Sequence, residues 1–193
     1  MFMKLCEKQT HLLYIFFIFI FLTALCIVRF ILIGDTMWFA LGLSIAVSGL
    51  LLVIAAVDFA TQEIPDFFHW MMIPLAVAAV WVFPEVVLLS RVVGVFVISA
   101  PMLALAMVIK GAFGGGDMKL MAVCGFLLGW QATLVAFFIA VLLGGGWGVL
   151  LLATGRGKKG QQIAFGPALC TGVFVALLWG ADIVAWYRHL LFL

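Results

Sequence analysis

Two aspartates sit where apolar sequence turns polar. Asp58 closes a long apolar run and opens the segment DFATQEIPD, and Asp117 follows three consecutive glycines, Gly114, Gly115 and Gly116. Each has a structural reading. Asp58 would be a solvated residue marking a helix end. Asp117 would be an N-cap, since aspartate accepts backbone N–H bonds at a helix start. The glycine run weighs against so plain a loop, because glycines permit positive φ and close backbone approach. A loop that holds a carboxylate against another backbone or a substrate needs that freedom. Two carboxylates at one site suggest aspartyl hydrolysis. Like charges a few ångströms apart cannot both ionise easily, so one proton stays on the pair. The ionised carboxylate takes a proton from water and the neutral one hydrogen-bonds the scissile carbonyl. Water attacks directly, with no metal, cofactor or covalent intermediate required.

The elements that position these residues follow from composition. Of 193 residues, 68% are hydrophobic and 9% charged, against roughly 45–50% and 25% in a soluble domain. Ten basic and eight acidic side chains cannot cover a water-soluble fold. A soluble globular domain, a disordered chain and a nucleic-acid-binding domain are excluded. The chain reads as an all-α, polytopic transmembrane bundle of about six to eight helices, forming one domain over 1–193 in a lipid bilayer. Apolar segments run at about 12–33, 38–57, 67–83, 86–109, a short one at 118–128, then 131–153 and 163–181. The first, within 1–37, is longer than a signal-peptide core and lacks a small-x-small cleavage site, so it reads as a retained extra span. Cys6, Cys26, Cys124 and Cys170 are scattered, without a C-x-x-C pair, and read as small apolar residues.

Charge sets the orientation. Lys4, Lys8, Lys110, Lys119, Arg156, Lys158 and Lys159 fall in alternate loops, with Arg91, Arg188 and Arg29 on the other side. The positive-inside rule makes the first set cytoplasmic. The loop from Asp58 to Asp66 lies on that side yet carries Asp58, Glu63 and Asp66 and no Lys or Arg. Glu63 and Asp66 either attract a basic substrate segment or pair with Arg156, Lys158 or Lys159 of the neighbouring loop. Lys119 either stabilises an ionised carboxylate or orients its loop, or simply obeys the positive-inside rule. Pro65 is expected in the first turn of the third span, where its missing N–H is harmless. Gly166 and Pro167 either start a helix or leave a gap beside the dyad for an extended substrate. His69 reads more readily as structural than as a third catalytic group. The spacings Gly125–Gly129 and Gly144–Gly148 suit close helix packing, internal or in a homodimer.

The segment at 58–66 resembles the first signature of the type IV prepilin peptidases, an Asp followed six residues later by Ile-Pro and then Asp or Asn. GGGDMKL at 114–120 resembles their second, the G-x-G-D motif followed by Lys and Leu. GFLLGWQA at 125–132 and AFGPAL at 164–169 are similar to the family as well, so the resemblance runs over about 45–175. It implies Asp58 and Asp117 as the catalytic pair. It also implies cleavage of the short basic leader of prepilins or pseudopilins at the cytoplasmic face of the bacterial inner membrane. Many members also carry a cytoplasmic domain with two C-x-x-C pairs that accompanies N-methylation. No such pairs occur here, so peptidase activity without methylation is expected. Two other readings stand beside this one: a presenilin-like protease, which shares G-x-G-D, and a small transporter or channel with the two aspartates as proton or cation sites. Transport sites tend to lie near the bilayer midplane.

Overall fold

A computed structural model describes residues 38–109, 113–154 and 164–191. The expected first span, the loop basic residues Lys4, Lys8, Lys110, Arg156, Lys158 and Lys159, and Arg29, Cys6 and Cys26 lie outside these residues. Within them the chain is all-helical: α1 (Trp38–Thr61), α2 (Asp66–Val82), α3 (Leu88–Val108), α4 (Gly115–Leu128), α5 (Trp130–Ala153) and α6 (Gly166–Leu191). At 1.5 Å per residue, α1, α3, α5 and α6 are long and apolar enough to cross a membrane. The 17-residue α2 is shorter, and the 14-residue α4 reaches only about 21 Å.

That short helix is the hub. It packs against α2, α3, α5 and α6, while α1 closes the bundle against α2 and α6. Leu120, Met121, Cys124 and Leu127 of α4 are buried, with Val47, Leu51 and Ile54 of α1 and Leu169 and Val173 of α6 in the same core. Lipid tails give no hydrophobic drive for helices to associate, so contact depends on close backbone approach. Gly125 supplies it: a Cβ there would run into the Gly94 carbonyl of α3, and one on Gly94 into the Gly125 carbonyl. Gly144 of α5 likewise lies against Phe165 and Ala168. These two positions are thus occupied within the chain. Gly129 differs from the expected packing role. It stands between α4 and α5 at φ +79°, a left-handed turn that favours glycine, and lets one helix follow the other almost directly.

Large apolar side chains cover the outside, among them Trp38, Trp81 and Trp186 toward one end of the bundle and Trp70 toward the other. Such a surface suits lipid, with tryptophans at the two interfacial levels.

Arg91 corrects one expectation. It is not a free charge of the outer side but a fully buried residue of α3. Its guanidinium donates to the carbonyls of Ala79 (2.8 Å) and Phe83 (2.7 Å) at the end of α2. It also donates to Phe126 (3.2 Å) and Leu127 (2.8 Å) at the end of α4, and its Nε donates to Val86 O (3.2 Å). Helix C-termini leave carbonyls without intrahelical donors and carry partial negative charge. One buried cation satisfies two of them together.

Candidate active site

At the opposite end of the bundle the chain gathers the last turn of α1 and the first turns of α2, α4 and α6. Asp58 belongs to α1, which does not stop there as expected but continues to Thr61. The Thr61 hydroxyl bonds the Val57 carbonyl at 2.9 Å, and Gln62 leaves the helix at φ 58°. Asp58 is therefore a turn inside the helix, 4% exposed, and is no solvated end residue. Its Oδ2 accepts the backbone N–H of Gly166 at 3.0 Å. Gly166 is the first residue of α6, so a helix N-terminus, with free N–H groups and partial positive charge, is aimed at this carboxylate. Pro167 follows at a position where a missing N–H costs nothing. A Cβ on Gly166 would sit 2.6 Å from the same oxygen. The pair Gly166–Pro167 thus starts α6, and in place of a gap beside the dyad there is direct contact with Asp58.

Asp117 is the third residue of α4, behind the N-cap Gly114. It is not the cap itself. Its carboxylate turns back toward the Gly114 backbone. Asp117 is 8% exposed, and its Oδ1 is buried without a protein partner among the described residues. The three glycines before it do different things. A Cβ on Gly114 would approach the Asp117 carboxylate at 3.2 Å, one on Gly116 would meet Ile64 Cβ at 2.8 Å, and one on Gly115 would meet nothing within 4 Å. Gly116 is therefore where the G-x-G-D segment rests on the Ile-Pro-Asp segment.

The two aspartates lie within electrostatic reach of each other, and both bear on the buried Cys170 thiol, one turn into α6. Among the described residues, no three of His, Cys, Asp and Glu form a group that could hold a metal ion.

The supporting residues divide. Lys119 does not turn to the dyad; its Nζ lies 2.6 Å from Asp66 Oδ1 in an exposed ion pair that ties α4 to α2. Asp66 sits at the water-exposed start of α2, and the Lys119 ammonium holds its carboxyl below the usual carboxylate range. Pro65 occupies the N-cap position of α2, one residue earlier than expected. Glu63 is exposed in the connecting loop. His69, on the first turn of α2, is 6% exposed, and its Nε2 lies 2.9 Å from the Gly116 carbonyl. Sequence reasoning missed this contact, along with Cys170 beside the dyad and the Arg91 clamp. A lone arginine inside an apolar stretch was a signal for the last, because a charge at that depth must be paired with carbonyls or acids.

A helical membrane bundle with a buried carboxylate pair at one end is the class these features define. The sequence model of the Type IV leader peptidase family matches residues 45–149. The chain belongs to this family. The matched stretch contains Asp58 and Asp117 but not Gly166. A "Prepilin leader peptidase/N-methyltransferase" of Bacillus subtilis is 36% identical over 141 residues, 72% of this chain and 56% of that protein. Proteins of the same name from Aeromonas salmonicida and Pseudomonas aeruginosa are 38% and 37% identical over 78 residues, 40% of this chain and 27% of theirs. The chain thus spans little more than half the length of the first of these relatives and about a quarter of the others. No solved structure matches it. The transporter and presenilin-like readings are not favoured: the family is that of the leader peptidases, and both carboxylates lie at one end of the bundle, away from its middle.

Proposed function

We propose that the chain is a membrane-embedded aspartyl endopeptidase. It removes the basic leader of prepilins or pseudopilins, with Asp58 and Asp117 as the catalytic pair. The observation that carries this reading is the pair itself: two buried carboxylates, each on one of the two signature segments, at the same end of the bundle and within electrostatic reach of each other. In the proposed step the pair holds one proton. The ionised carboxylate takes a proton from a water molecule as its oxygen attacks the scissile carbonyl carbon. The protonated carboxylate donates to the carbonyl oxygen. Collapse of the tetrahedral intermediate breaks the C–N bond, and the leaving amine receives the proton the first carboxylate had taken. The proton assignments belong to the pair and not to either residue. The Gly166 N–H holds the Asp58 carboxylate, and the Asp117 carboxylate lies against the Gly114 backbone.

We place the protein in the inner membrane with this site toward the cytoplasm. Lys119 lies at the dyad end, and the sequence puts Lys110, Arg156, Lys158 and Lys159 in the loops that lead into α4 and α6. Arg91, buried as it is, no longer counts for the other side. The substrate's apolar helix would dock among the spans while its basic leader meets the loop that carries Glu63. Because Gly125 and Gly144 are occupied internally, the proposal does not extend to a homodimer. Methyl transfer is named for the relatives and is not proposed for this chain.

The test is co-expression of a tagged prepilin with the wild-type chain, Asp58→Asn and Asp117→Asn in membranes, reading the mass of the product N-terminus. Loss of a leader-sized fragment with the wild type alone is expected. Cleavage that survives both substitutions would overturn the aspartyl mechanism. An unshortened product across several prepilins would overturn the substrate class.

A further inference from the structure

We propose that His69 is a positioning residue for Asp117: its Nε2–H grips the Gly116 carbonyl and so holds the peptide bond that leads directly into Asp117. This rests on the peptidase reading above.

A carbonyl oxygen can only accept, so the 2.9 Å contact requires the proton on Nε2. The gripped carbonyl belongs to the same peptide unit as the Asp117 nitrogen. Moving it moves the backbone from which the carboxylate hangs. Gly116 also rests on Ile64, where a Cβ would find 2.8 Å. The first turn of α4 is therefore fixed by two contacts, Ile64 packing and the imidazole. Two residues past Asp117, the Lys119–Asp66 pair adds a second tie between the same two helix starts. Asp117 lies between the ties.

The cost of this arrangement speaks for a purpose. His69 is buried, and its Nδ1 has no hydrogen-bond partner among the described residues. The nearest charge is Asp66 Oδ1, 3.8 Å away. An unpartnered buried polar atom is destabilising, and a leucine would fill the space without it. What a leucine lacks is the N–H. His69 does not touch the carboxylate oxygens; its action on Asp117 runs through Gly116.

The test uses the full chain in nanodiscs and a tagged prepilin-type substrate. Three variants are compared with the wild type. His69→Leu removes the donor. His69→Gln carries an amide N–H at about the reach of Nε2. His69→Asn is equally polar but too short. We expect kcat to fall on the order of 10²-fold in His69→Leu and His69→Asn, the scale of a misplacement of about 1 Å, with KM unchanged. His69→Gln should regain most of kcat. Hydrogen exchange needs no substrate: amides of 114–118 should exchange faster in His69→Leu and His69→Asn and return toward wild type in His69→Gln. Wild-type kcat and exchange in His69→Asn would overturn the proposal. So would a His69→Gln no better than His69→Asn when both are folded, and this contrast decides even if His69→Leu does not fold. If the wild-type chain cuts no such substrate, the peptidase reading fails, and exchange alone then decides whether His69 fixes this turn.

Discussion

The two ends of the bundle use the same helices in opposite ways. α2 and α4 point their C-termini at Arg91 and their N-termini toward the aspartates. At the Arg91 end, one cation donates to carbonyls of both helices and every donor direction is filled. At the other end, Asp58 receives one backbone N–H, the Asp117 carboxylate lies against the Gly114 backbone, and Asp117 Oδ1 is left without a partner among the described residues. Both arrangements match charge to helix ends. They differ in saturation. A fully satisfied buried ion holds structure and has nothing left for a substrate. A carboxylate held by a single donor is directed but still has an oxygen free for water or a scissile carbonyl. The comparison assigns stability to one end and chemistry to the other, and substitutions should separate them.

The largest effects are expected at the aspartates. Asp58→Asn or Asp117→Asn should lower cleavage by about 10²–10⁴-fold, the usual worth of a general acid or base, while the thermal midpoint holds. In the wild type, kcat should follow a bell-shaped pH profile whose two limbs belong to the pair. A single-limbed profile would mean that only one carboxylate titrates in the reaction.

Arg91→Leu should do the reverse. It strips the shared donor from buried carbonyls at the ends of α2 and α4, at a cost of about 3 kcal/mol. Tryptophan fluorescence during unfolding should show a lower midpoint. The kcat of the fraction that stays folded should match wild type. A fall in kcat with unchanged stability would break the division of labour.

Glycine substitutions should sharpen the picture on a finer scale. Gly166→Ala forces a methyl into Asp58 Oδ2, and overpacking of this kind costs about 1–3 kcal/mol. Activity should fall on the order of tenfold or more. Within the G-x-G-D run the three glycines should part company. Gly116→Ala must displace Ile64 and should be damaging, whereas Gly115→Ala enters open space and gains about 1 kcal/mol of helix propensity. Equal loss at Gly115 would show that the run serves something other than backbone approach.

These cases also show what the sequence made legible. Hydropathy and charge placed the starts of the described helices to within three residues, since lipid demands long apolar helices, but α6 runs to Leu191, ten residues past its expected end at 181. The two aspartates were visible because carboxylates at the edge of apolar runs are rare. Contacts between segments distant in sequence were not visible. Nothing in AFGPAL says that the Gly166 N–H lands on Asp58, or in FFHW that His69 meets Gly116. α1 was expected to end at Asp58, because a charge in an apolar run looks like a boundary. Burial and a donor from α6 let the helix run one more turn instead. Arg91 was counted with the basic residues of the outer side, when its partners were carbonyls that have no letter in the sequence.

The smallest expected effects lie in the acidic loop, and they test what the site end offers a substrate. Asp66 is exposed and already paired with Lys119. Its lowered pKa means that the pair stabilises the fold above the ordinary carboxylate range, and that this is lost as pH falls through the lowered value. Solvent screens such a pair heavily. Asp66→Asn should therefore shift the thermal midpoint less than Gly166→Ala does. Its effect on KM should be slight as well, because Lys119 already offsets the charge a basic leader would meet. Glu63 stands in the loop between the two signature aspartates and is exposed. Glu63→Lys should raise KM for a prepilin with a basic leader and weaken the salt dependence of that KM, leaving kcat alone. If Asp66→Asn raises KM and Glu63→Lys does not, the leader binds where Lys119 now sits, and the ion pair is a gate the substrate opens and not a fixed tie.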